Sequence, residues 1–127
     1  MRVYLAGGMR SGWQERVRAE IPGHRYIDPC EHGLARETEY TLWDLLAIDS
    51  ADVVFAYFEA DNPSGFGLSL EVGYAKRGGK RIILVDEKSV TEEAMSRRLE
   101  MLYSCADVVV QSLDDGLHIL QSLTKIR

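Results

Sequence analysis

A chain of 127 residues, 46% hydrophobic and 28% charged, has the size and composition of one globular domain that buries roughly two thirds of its unfolded surface. Its net charge of -5 excludes broad binding to a nucleic-acid polymer, and its two cysteines, Cys30 and Cys105, have neither CxxC nor Cys/His ligand spacing, which excludes a disulfide framework and a zinc site. The longest apolar run, VVFAYF, falls far short of the roughly 20 residues of a membrane span, and MRVYLAGG enters a strand rather than a signal peptide, so a cytoplasmic protein with no membrane partner is expected.

In chain order the elements alternate. Strand RVYLAG (2–7) leads to helix SGWQERVRAEI (11–21), strand HRYID (24–28) to helix ETEYTLWDLLAIDSA (37–51), and strand DVVFAYF (52–58) to helix GLSLEVGYAKRG (67–78). Strand RIILVD (81–86), helix TEEAMSRRLEMLYSCA (91–106), strand DVVVQS (107–112) and helix LDDGLHILQSLTK (113–125) complete the series. The strands are near-continuous apolar runs, which suits a parallel sheet covered on both faces. The pattern predicts a single domain over 1–127 of α/β class: a doubly wound five-stranded parallel sheet with helices on both faces, as in flavodoxin-like and Rossmann-like folds. Ser11 with Gln14 and Ser89 with Glu92 have capping-box spacing, and Gly78 and Gly79 end a helix. SADVVF and CADVVV read as two similar helix-to-strand junctions.

Ligands of such sheets bind beyond the carboxyl ends of the strands, near the switch in strand order. Three loops meet that description: GGMRSG, DPCEHG and EADNPSGFG. None carries GxGxxG or GxxxxGK[ST], which removes dinucleotide and P-loop chemistry. A phospho-receiver would have acids where the first loop has glycines, and FMN binding would favour more Ser and Thr. What remains is a turn, Gly7, Gly8, Met9 and Arg10, whose backbone N–H groups and guanidinium suit an anion, and a second small-residue loop, Ser64, Gly65 and Gly67, which either contacts an anion or caps a helix.

Glu71 stands alone among small and apolar residues. Gly67 and Ala75, four residues to either side, predict an unobstructed helical face around it. With an ordinary pKa of about 4.3 it is expected to be ionised at neutral pH, as an attacking or charge-stabilising group must be. Asp44 and Asp49 interrupt the second helix and point about 140° apart, so they are not expected to share one site. Asp49 and Asp52 suit helix-end or solvated roles better than Asp44 does.

At these residues the chain resembles the nucleoside 2-deoxyribosyltransferase family, including the related 2'-deoxynucleoside 5'-phosphate N-hydrolases. YLAGGMRSG, DLLAIDSADVVFA and the loop leading to EVGYA carry the resemblance, over roughly residues 2 to 85. It implies that Glu71 attacks the anomeric carbon, that Asp44 acts on the sugar or base side, and that Tyr4 borders the substrate and orients the glutamate. It further implies a nucleotide-binding turn at Gly7 and Arg10, a phosphate contact at Ser64, no cofactor and no metal, and a homodimer or higher homo-oligomer, with Ser96 as one residue lent across chains. The implied activity is cleavage of the N-glycosidic bond of a (2-deoxy)nucleoside or its 5'-monophosphate with transfer of the deoxyribosyl group to another base. Hydrolysis, with water as acceptor, and the preference for a phosphate stay open: the Ser64-to-Glu71 spacing is one residue longer than in the hydrolases and Gly8 replaces a serine, while Gly65 stands where the transferases often have another acid. A non-catalytic nucleotide sensor is the alternative of another class; it would have no need of both Glu71 and Asp44.

Overall fold

The computed structural model describes residues 1–126, and every predicted strand is present. The elements are β1 (Arg2–Gly7), α1 (Trp13–Glu20), β2 (Arg25–Ile27), a 3-10 turn (Pro29–Glu31), α2 (Glu37–Ser50), β3 (Val53–Phe58) and α3 (Phe66–Arg77), followed by β4 (Arg81–Asp86), α4 (Lys88–Thr91), α5 (Met95–Arg98), α6 (Glu100–Cys105), β5 (Val108–Val110) and α7 (Leu113–Leu123). The strands form one parallel sheet in the order β2-β1-β3-β4-β5. Chain direction across the sheet therefore reverses between β1 and β3, and the loops after those strands diverge to opposite sides of a crevice.

All six residues of β3 are buried, as an apolar run in the middle of a doubly covered sheet requires. Ile48 of α2, Leu68, Val72 and Ala75 of α3, and Leu102 of α6 cover one face together with Tyr4. Trp13 and Val17 of α1 and Leu113, Leu117 and Leu120 of α7 cover the other. The two similar junctions perform one task. Asp52 and Asp107 each open a strand and accept a backbone N–H from the neighbouring strand, from Arg2 and Ile82 respectively, both at 2.8 Å. Among the described residues no helix is long and apolar enough to cross a membrane.

Three local expectations fail. Gly12, in a left-handed conformation, caps α1 without a side-chain bond, and Gln14 turns its amide onto the Gly8 carbonyl at 2.9 Å instead of closing a box with Ser11. Ser89 lies inside α4, its N–H taken by Asp86 Oδ1 at 3.1 Å, so it caps nothing for Glu92. The helix expected over 91–106 is broken into α5 and α6, preceded by α4. Ahead of it, the Lys88 ammonium is buried against the Ala60 carbonyl and Glu92, which ties this stretch to the loop after β3, while Leu99 and Leu102 reach the core.

Candidate active site

The loop after β1 is shaped by two constraints. Gly7 has a φ of +149°, and a Cβ there would stand 2.5 Å from the Tyr57 carbonyl oxygen, so only glycine lets β1 end this close to β3. The Gly8 carbonyl accepts both Trp13 Nε1–H at 2.8 Å and the Gln14 amide, which anchors the turn to α1. The loop after β3 is built the same way. Asn62 Oδ1 accepts the N–H groups of Ser64 and Gly65, at 3.1 and 3.0 Å, and Gly65 caps α3 at φ +68°, where a Cβ would strike the Phe58 ring. Ser64 therefore caps no helix; its backbone N–H is used by the turn.

Between these loops lies a cavity of about 380 Å³, within the roughly 300–1,000 Å³ typical of small-ligand sites. Gly7, Gly8, Met9, Ser64, Gly65 and Gly67 line it, and so do Asp44 of α2 and Glu71 of α3. Tyr4, fully buried in β1, does not itself line the cavity but donates its hydroxyl to Glu71 Oε2, which does. The residues proposed from sequence thus meet at one place, with one exception. Arg10 lines an adjoining hollow of about 440 Å³ with Ser11, Glu59 and Asp61; the two spaces share Gly8, Met9 and Asn62.

Gly67 opens the cavity as expected, for nothing lies within 4 Å of where its Cβ would be. Ala75 does not. It is fully buried in the core, because a four-residue step overshoots a helical turn by about 40° and carries Ala75 toward the sheet while Gly67 moves away from it. Asp49 and Asp44 part company as their angular separation demands: Asp49 is exposed and accepts the Tyr74 hydroxyl at 2.9 Å, tying α2 to α3.

The ionisation of Glu71 departs from expectation. Burial pushes its carboxyl up from 4.5 to about 7; the Tyr4 hydrogen bond opposes the shift and the nearby Asp44 charge adds to it. The sequence could not disclose this, since the desolvation is supplied by three elements that meet only in the fold. Burial also lifts the Asp44 carboxyl above its ordinary range, with His32 pulling it back. Tyr4, desolvated and facing two carboxylates, keeps its proton far beyond neutral pH and acts as a donor.

His32 is the polar residue that sequence reasoning missed, although it lies in DPCEHG, one of the three loops singled out. It lines the cavity with Leu34, Tyr40, Asn62, Phe66 and Leu68. Its Nε2 lies 3.4 Å from Asp44 Oδ1, a long contact, and neither buried atom has a closed hydrogen bond among the described residues. Each such orphan ordinarily costs about 1–3 kcal/mol.

The family model described as nucleoside 2-deoxyribosyltransferase-like matches residues 1–89. Among solved structures, a conserved protein from Enterococcus faecalis V583 superposes with a TM-score of 0.67 at 16% identity, covering 97% of this chain and 98% of that one. The CMP N-glycosidase of Clostridium botulinum gives 0.59 at 22% identity, covering 97% and 98%. A 2-desoxiribosyltransferase from Leishmania mexicana gives 0.58 at 21%, covering 68% of this chain and 64% of that one. These similarities show the shared fold. No curated protein sequence matches the chain.

Proposed function

This chain belongs to the nucleoside 2-deoxyribosyltransferase-like family, and from that premise we propose that it cleaves the N-glycosidic bond of a (2-deoxy)nucleoside or its 5'-monophosphate and passes the deoxyribosyl group to another nucleobase. One observation carries the reading: Glu71 Oε2 is held by Tyr4 while Oε1, with no partner among the described residues, belongs to a side chain that lines a ligand-sized cavity together with Asp44. In the proposed reaction the free oxygen attacks C1' through an oxocarbenium-like transition state, and the C1'–N bond breaks toward the base. Asp44 assists the departing base, which takes up a proton as it leaves, or holds the sugar. The acceptor then gives up a proton as it attacks C1', displaces the Glu71 carboxylate and completes the cycle, with no net change in protons. Tyr4 fixes which oxygen stays behind and stabilises the carboxylate that must form.

A small nucleoside or nucleotide is thus the proposed partner, bound by Gly7, Gly8, Met9, Ser64, Gly65 and Gly67, with Arg10 reaching in from its hollow toward a 5'-phosphate. The homo-oligomer implied by the resemblance is retained as part of the proposal. Leu42 and Leu46 of α2 and Leu70 of α3 are exposed, as is Phe66, which lines the cavity, and a second copy packed on these residues would add to its rim; Ser96, also exposed, donates its hydroxyl to the Glu93 carbonyl just before its helix. Incubation with deoxynucleosides and their 5'-monophosphates, with and without a second free base, followed by chromatography, tests the reading. New nucleoside is the expected product; free base plus sugar would make water the acceptor, and no turnover of any substrate would overturn the proposal.

A further inference from the structure

His32 and Asp44 come from different elements, the turn after β2 and the middle of α2, and their facing atoms, Nε2 and Oδ1, are the two buried side-chain polar atoms without a partner among the described residues. The His32 side chain is 8% exposed and that of Asp44 16%. The proton on the imidazole is located by its other nitrogen. Nδ1 accepts the Leu34 backbone N–H at 2.9 Å, so in the neutral ring the proton sits on Nε2, aimed at the Asp44 carboxylate. The ring plane is set as well, by an edge-on contact with Trp43 at 4.7 Å between centroids and 68° between planes. Asp44 Oδ2 also lacks a partner but is not sealed from solvent as Oδ1 is, and its residue lines the cavity.

We infer that His32 is a positioning residue: its Nε2–H closes onto Asp44 Oδ1 when a ligand occupies the cavity, and this turns Oδ2 toward that ligand. Catalytic hydrogen bonds are commonly long or misaligned without substrate and tighten in the reacting complex, which is the state of this pair. The consequence for Asp44 has a definite sign. Charge on the imidazole and a hydrogen bond from its Nε2–H both favour the charged carboxylate, and so oppose the burial that raises its pKa. The other titratable groups facing Asp44 are Tyr4 from β1, which stays neutral, and Glu71 from α3; Asp28, after β2, is paired with Arg18. Of these only His32 works toward ionisation of Asp44. That Oδ2 meets a sugar or base rests on the function proposed above; the donor–acceptor relation of His32 and Asp44 does not.

The test separates the two. Carboxyl ¹³C signals, with Asp44 assigned through D44N, are followed against pH in the wild type, in H32F, which keeps the ring contact with Trp43 and loses the donor, and in H32Q, which keeps a donor at the end of the side chain. The Asp44 midpoint should move to higher pH in H32F and stay near the wild-type value in H32Q. Imidazole ¹⁵N shifts of the unaltered protein should place the proton on Nε2. A proton on Nδ1, or an Asp44 midpoint unmoved in H32F, overturns the inference, and neither readout needs turnover. Where base release is measurable, H32F should lower kcat by roughly ten- to a hundredfold with KM little changed, and H32Q should recover most of it. A rise in KM alone would put His32 in direct contact with substrate and overturn the positioning role.

Discussion

Tyr4 donates its hydroxyl to Glu71 on one face of the sheet, and Tyr57 donates its hydroxyl to Glu87 on the other. The groups are the same, but the second oxygen differs. Glu87 Oε2 accepts the Leu113 backbone N–H at 3.0 Å, so its carboxylate is filled at both ends and ties β3 and β4 to the start of α7. Asp86 is filled likewise, by Tyr103 and by the Ser89 N–H. Glu71 has one oxygen held and one left over, and the leftover faces a cavity with a like charge, Asp44, on its wall. A carboxylate with both oxygens bonded is a tie between elements, and one with a single oxygen bonded is available for chemistry.

The strongest way to break this comparison is to neutralise each glutamate in turn. E71Q should lower base release by roughly a thousandfold or more, as loss of a nucleophile does, and should not weaken the fold. Burial raises the Glu71 carboxyl, so its contribution to stability is fully present below about 4.5 and is lost as pH rises through about 7. E71Q removes that loss. It should be more stable than wild type at pH 8, by up to about 3 kcal/mol, and indistinguishable near pH 4, as read by urea denaturation at both values. E87Q should do the reverse, costing about 1.5–3 kcal/mol of stability for its charge-assisted bonds and leaving base release unchanged. Wild-type turnover in E71Q would sink the assignment of Glu71 as nucleophile.

The same half-used carboxylate sharpens into a pH profile. If the ionised form attacks, kcat/KM for base release should fall about tenfold per pH unit below about 7 and level off above it. D44N should cut the rate by roughly a hundredfold or more. It should also move the acidic limb to lower pH, because it removes the charge that helps raise Glu71. Y4F should cost roughly ten- to a hundredfold and move the limb the other way, since the tyrosine bond is what holds Glu71 down. Limbs that move together in the two variants would refute the opposing roles assigned to Asp44 and Tyr4.

Much of this was legible before the fold. Apolar strands separated by amphipathic stretches gave the sheet, and strand-end rules pointed to the three loops that do surround the cavity. Glu71 was legible because a lone acid among Gly67, Leu68 and Val72 conflicts with packing, and Asp44 because it interrupts an otherwise apolar helical run. The charge state of Glu71 was not, since desolvation sums over β1, α2 and α3 and no local window contains all three. His32 was hidden for the same reason: its meaning depends on the Leu34 N–H that sets its proton and on an aspartate 12 positions later, brought opposite only by the turn after β2. The broken helix over 91–106 was hidden because its helical periodicity continues across the interruptions, and the tie of Lys88 to the Ala60 carbonyl just before it is a long-range contact no local window contains.

Arg10 gives the smallest expected effect and the most direct test of how the two hollows divide the ligand. It is exposed and shares its space with Glu59 and Asp61, which compete with any anion for its guanidinium. Among the described residues no lysine or arginine lines the cavity of Glu71 itself. A 5'-phosphate seated across Gly8 and Met9 would therefore lie between an anionic cavity and a partly neutralised arginine. R10A should then weaken a 5'-monophosphate by about 1.5 kcal/mol, roughly tenfold, the low end for a bond to a charged group, and leave the free nucleoside unaffected. Titration calorimetry with the two ligands reads the difference, best on the E71Q background, where nothing turns over. Equal losses for both would move the phosphate away from Arg10, toward Ser64 and the first turn of α3.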